Sequence, residues 1–84
     1  MKYCVITFRS VTPAQRAEGV LRRAGLECSV HRTPKWMEEQ GCGYSVRLNC
    51  ADVPVALQLL KDSQVPYRKV YLQRENGRPE EMHL

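Results

Sequence analysis

Gly41-Cys42-Gly43 is the tripeptide of this 84-residue chain with the most chemistry in it. Two flanking glycines let the backbone turn tightly and come close to a ligand or partner, and they leave the thiol unshielded. Cys42 is therefore the candidate nucleophile. A bland role fits the same tripeptide, a small residue filling a loop-to-strand junction, and spacing alone leaves the two in balance. Arg32 and Lys35 would stabilise a thiolate if the loop folds back, whereas Glu38 and Glu39 would oppose it, so the sign of any shift in thiol acidity stays open. The other cysteines, Cys4, Cys28 and Cys50, fall at inward strand positions, where cysteine behaves as a small buried hydrophobe. There is no CxxC pair, and His31 and His83 stand apart, so the spacing argues against zinc. His31 also lacks an evident orienting acid, which argues against a protease-type Cys-His pairing.

Composition narrows the class. The chain is 43% hydrophobic and 26% charged, near the averages of soluble globular proteins, and its length suits one small domain. Thirteen Lys and Arg against nine Asp and Glu leave a net charge of +4, which permits an anionic partner without demanding one. No apolar run approaches the ~18 residues of a membrane span, and the start is too short and strand-like for a signal peptide. A cytoplasmic location with reduced thiols is the expectation.

The elements that must position Cys42 follow from periodicity. Residues 3–8 are β-branched and aromatic and predict a first strand. Thr12 as cap, Pro13 in the first turn and Gln15 as capping-box partner predict a helix stopped at Gly25, with Ala14, Ala17, Val20, Leu21 and Ala24 on its apolar face. Residues 26–32 alternate as a second strand. The stretch from Pro34 to Gly43 has no strand period and is long for a hairpin connection, and long loops in compact domains are often functional. Tyr44 to Cys50 alternates strictly, with Tyr44, Val46, Leu48 and Cys50 inward. Asp52 as cap and Pro54 in the first turn predict a second helix to about Ser63, burying Val53, Ala56, Leu57 and Leu60. Tyr67 to Gln73 reads as the last strand and 74–84 as a frayed polar tail, which gives a domain over 1–73.

The order βαββαβ predicts an α+β, ferredoxin-like domain. In that plan each βαβ half sets two parallel strands side by side, and the halves interleave into a four-stranded antiparallel sheet with two helices on one face. Tyr3, Val5, Thr7, Arg47, Tyr67, Lys69 and Tyr71 would then line an uncovered face.

These residues resemble a family. A first strand ending in Thr7-Phe8-Arg9-Ser10, a helix stopped at Ala24-Gly25, a loop led by Pro34 that ends in Cys42-Gly43, and a second helix begun at Asp52 are similar to the selenium/sulfur carrier protein-like family over roughly 3–73. The loop departs from the family's pattern at Glu38, Glu39 and Gln40, where small hydroxyl residues are expected. The resemblance implies a small bacterial carrier working beside cysteine desulfurases or selenium-handling proteins, rather than a turnover enzyme. It makes Cys42 the residue that bears sulfur or selenium as persulfide or selenosulfide, with no cofactor beyond that covalent atom. Gly41, Gly43, Pro34, Lys35 and Trp36 are the candidate binding residues around it. Trp36 and Met37 suit partner docking as an exposed aromatic anchor, and equally suit folding back over the sheet.

Two binding-module readings compete. RNA recognition motifs share βαββαβ, and Tyr3, Tyr67, Tyr71, Arg47 and Lys69 would be the reading surface, but the outward positions of the third strand, Ser45, Arg47 and Asn49, lack the base-stacking aromatics. A dimerising or regulatory module would instead pack the open face on a second copy, with Cys42 incidental.

Overall fold

The computed structural model describes residues 2–33, 43–74 and 79–82. The chain runs β1 (Tyr3–Phe8), α1 (Val11–Arg23), β2 (Cys28–Arg32), β3 (Tyr44–Leu48), a 3-10 turn (Cys50–Asp52), α2 (Val53–Asp62), β4 (Val70–Gln73) and β5 (Glu80–Met82). It is an α+β fold whose antiparallel sheet has the order β2-β3-β1-β4-β5. The expectation of four strands is corrected to five, and β1 and β2 are not side by side, because β3 lies between them.

The fifth strand comes from the segment expected to fray. Glu80–Met82 pairs with β4, Val70 opposite Met82 and Leu72 opposite Glu80. Met82 packs against the core, and Lys69 Nζ reaches Glu81 Oε1 at 3.5 Å across the strand pair. One apolar residue, Met82, beside exposed Glu80 and Glu81 is enough for a short strand when a neighbouring edge is open.

Helix α1 begins one residue before the expected cap. Ser10, extended at φ −156°, takes the N-cap position without a side-chain bond, and Pro13 sits in the first turn, where its missing N–H costs nothing. Gly25 at φ 87° ends the helix in a Schellman arrangement, with Gly25 N donating to Arg22 O and Leu26 N to Leu21 O, each at 3.0 Å. Ala24 is exposed rather than inward. Before α2, Asn49 rather than Asp52 makes the capping bond, accepting from Ala51 N at 3.1 Å.

Strand β4 starts at Val70, three residues later than alternation suggests. Thr7 explains the delay. Its Oγ1 accepts from Lys69 N at 3.0 Å and donates to Lys69 O at 3.2 Å, so the Lys69 amide goes to a side chain and the regular ladder ends there. The core lies between the sheet and both helices: Cys4, Ile6, Phe8, Val46, Leu48 and Val70 meet Ala14, Ala17, Leu21, Val53, Ala56 and Leu60.

Leu21 is fully buried in this cluster. Leu21→Ala should therefore lower the free energy of unfolding by about 2–5 kcal/mol in urea titrations, whereas Val55→Ala, at an exposed position of α2, should change it by less than about 0.5 kcal/mol.

Candidate functional site

The segment that carries Cys42 connects β2 to β3. Arg32 pairs with Tyr44 as the last rung of the ladder, and beyond it Thr33 N donates to Gly43 O at 2.9 Å. Thr33 and Gly43 are both buried, and the Thr33 hydroxyl finds no hydrogen-bond partner among the described residues. Thr33 and Gly43, which flank the intervening segment, are therefore pinned side by side. Of the expected site residues, Gly43 is placed here, while Pro34, Lys35, Trp36, Gly41 and Cys42 lie outside the described residues, as do Met37, Glu38, Glu39 and Gln40.

The surroundings of this end are basic. Phe8 pairs with Tyr44, so the β1–α1 turn with exposed Arg9 stands at the same end of the sheet as Gly43. Exposed Arg68, whose N–H donates to Thr7 O at 2.8 Å, comes to this end from the segment before β4. Arg32 is exposed on the third side. Helix α1 points its N-terminus this way and carries no acidic residue in its first turn. Positive charge and a helix N-terminus both favour an anion over its neutral form.

The other cysteines have different fates. Cys4 is fully buried, and its Sγ lies 2.6 Å from Cys50 Sγ and 3.6 Å from Met82 Sδ. Burial first, and then the bond to Cys50, push the Cys4 thiol up to about 12. Burial also raises the Cys28 thiol, against the pull of Arg22, whose guanidinium bonds the Cys28 carbonyl at 3.0 Å. Cys28 and Cys50 are half-buried and pack on the core. The Cys4–Cys50 approach was not visible in the alternation, which showed only that both face inward.

The family comparison settles kinship. A family model described as "Putative Se/S carrier protein-like" matches residues 3–72. The chain belongs to this family. No curated protein and no solved structure matches it. The match ends within β4, so β5 of this Se/S carrier-like chain lies beyond the shared region.

The face opposite the helices is not the bare platform expected of it. Val5 and Thr7 are only 3% exposed and Ser45 only 2%; Val5 stands in register between Arg47 and Tyr71, whose long side chains flank it. The Arg47 guanidinium lies 5.1 Å from the centre of the Tyr3 ring, and Lys69 is engaged by Glu81. Tyr67 is off the sheet, beside Pro66 and Arg68 in a groove that also involves Arg9. The aromatic and basic groups of the supposed RNA surface are thus spent on one another or displaced. Among the described residues, no group of three His, Cys, Asp or Glu side chains could hold a metal ion, and no helix is long and apolar enough to cross a membrane.

His31 offers a pH test of this sheet. Its Nε2 is 2.8 Å from Ser29 Oγ, and its pKa is lowered from the ordinary 6.5 by burial and then by the Arg47 charge. The unfolded chain thus binds the proton more readily than the folded one. Stability is fully present above about pH 6.5 and falls on acidification through the lower folded value. Urea midpoints at about pH 7.5 and about pH 5.5 should differ less in His31→Gln than in the wild type.

Proposed function

We propose that this chain is a sulfur or selenium carrier that holds a persulfide or selenosulfide on Cys42 for transfer between proteins. The observation that carries the proposal is membership of the Se/S carrier-like family across 3–72. The strand order β2-β3-β1-β4, with both helices packed into one core, supports placing the carrier on a ferredoxin-like frame extended by β5.

The chemistry asks for one thiol that is acidic, accessible and apart from the rest. Cys4 is buried in the core, Cys28 and Cys50 pack half-buried against it, and Cys4 and Cys28 have raised thiol pKa values. Cys42 directly precedes the pinned Gly43 in the sequence, and exposed Arg9, Arg32 and Arg68 stand at the end of the sheet where Gly43 sits. Positive charge and a helix N-terminus at that end would favour a thiolate, which Glu38 and Glu39 would oppose. In the forward step the Cys42 thiolate attacks the terminal sulfur of a donor's persulfide; the donor's S–S bond breaks, its cysteine leaves as thiolate, and the outer sulfur stays on Cys42. An acceptor thiolate then attacks that outer sulfur and releases Cys42 as thiolate. The donor class that fits is a cysteine desulfurase or a selenium-handling protein, with Pro34, Lys35, Trp36 and Gly41 beside Cys42 as the contact residues.

After incubation with a cysteine desulfurase and cysteine, intact-mass measurement should show a gain of about 32 Da that reduction removes. Cys42→Ala should not show it. A gain that is indifferent to Cys42 would move the function to a binding-module role. Native-state alkylation supplies a second check: Cys42 should label first and Cys4 last, with Cys28 slower than Cys42.

A further inference from the structure

Cys4 and Cys50 stand 46 positions apart in the chain, yet their sulfurs are 2.6 Å from each other. Sheet register accounts for the meeting. Cys4 lies opposite Leu48, and Cys50 comes two residues after Leu48, at the diagonal position on the same face. Cys4 is fixed in the buried centre of β1, and Cys50 is the half-buried first residue of the 3-10 turn, whose entry is pinned by Asn49. Both are free thiols. A disulfide spans about 2.05 Å between sulfurs, so closure asks for a movement of only about half an ångström.

We propose that Cys4 and Cys50 form a reversible disulfide site, oxidised by exchange with a low-molecular-weight disulfide such as glutathione disulfide and reduced by excess thiol. The partly exposed Cys50 acts first. Its thiolate attacks one sulfur of glutathione disulfide, the oxidant's S–S bond breaks, and one glutathione leaves as thiolate and takes up the proton that Cys50 gave to solvent. The Cys4 sulfur then attacks Cys50 Sγ, the mixed disulfide breaks, and the second glutathione leaves carrying the proton lost by Cys4. Two protein thiols are oxidised by two electrons, and one glutathione disulfide becomes two glutathione thiols. The order of attack agrees with the Cys4 thiol being pushed up to about 12, which leaves it protonated until Cys50 Sγ is activated beside it.

Oxidation reaches β5 as well. Cys4 has one S–H, directed at Cys50 Sγ or Met82 Sδ. The disulfide removes that proton, so the Met82 thioether loses its donor and β5 keeps the ladder to β4. The site works without Cys42, which precedes the start of β3, while Cys50 follows its end.

The test is to equilibrate the native protein in glutathione buffers of graded redox ratio, trap free thiols with an alkylating reagent, and map the products by intact mass and non-reducing digestion. The expected result is a loss of about 2 Da before alkylation, with the Cys4 and Cys50 peptides linked, unchanged in Cys42→Ala and absent in Cys50→Ser. Retention in Cys42→Ala separates this site from the carrier function, so either can fail alone. An unchanged mass at the most oxidising ratio, a glutathione adduct that persists on Cys50, or a link from Cys50 to Cys28 or Cys42 overturns the proposal. The wild-type map decides the matter even if a Cys4 variant fails to fold.

Discussion

Strand β1 is buried on both faces, and the rest of the domain is arranged around that constraint. Cys4 through Phe8 are each at most 3% exposed, an unbroken row of five residues. A strand without solvent on either side must satisfy every polar group internally. Its backbone does so through β3 on one edge and β4 on the other. Its one hydroxyl, on Thr7, does so by bonding both the N–H and the C=O of Lys69. This pair of bonds locks the segment before β4 in place and carries Arg68 to the end of the sheet where the β2–β3 loop begins.

From β1 outward, the register divides the sheet into two chemically different ends. At the Phe8–Tyr44 end the chain turns into α1, the hairpin closes through Thr33 and Gly43, and exposed arginines come from three separate segments. At the Cys4–Leu48 end, the 3-10 turn and Met82 crowd sulfur against sulfur in the core. Polarity of the strands decides which end receives which helix terminus. β1 runs toward the loop, so α1 starts there; β3 runs away from it, so the 3-10 turn and α2 start at the opposite end.

Element types were legible where a local rule and the tertiary demand agreed. Alternation in 44–48 and the stripe of Ala14, Ala17 and Leu21 are matched by β3 and by the buried face of α1, and Gly25 is the helix stop it resembles. The errors fall where a distant residue overrides the local signal. Thr7 ends the β4 ladder from 62 residues away, which no window around Tyr67 reveals. Glu80–Met82 is too short and charged to announce itself, and becomes a strand only because the β4 edge needs a partner. Helix α2 ends through Gln64 at φ 56°, with Gln64 N on Lys61 O and Val65 N on Leu60 O, the arrangement Gly25 makes for α1 but without the glycine that signals it. At the site, Gly41-Cys42-Gly43 offered a candidate of which only Gly43 lies among the described residues, whereas the arginines at the same end of the sheet as Gly43 come from positions 9, 32 and 68 and share no local pattern.

For the proposed carrier function, four thiols in one chain pose a problem. A persulfide beside a second thiol collapses, the thiol attacking the inner sulfur to leave a disulfide and hydrogen sulfide, so cargo is kept only where no other thiol can reach. Cys4 and Cys50 would destroy a persulfide formed on either of them. The fold separates them from Gly43 by the length of β3: the five steps from Gly43 to Leu48 span about 17 Å in extended chain. Burial reinforces the separation, because Cys4 is enclosed and Cys28 is held between Glu18 and Arg22 on α1. The same strand that aligns the core thus sets Gly43, the sequence neighbour of the proposed carrier thiol, apart from the Cys4–Cys50 pair.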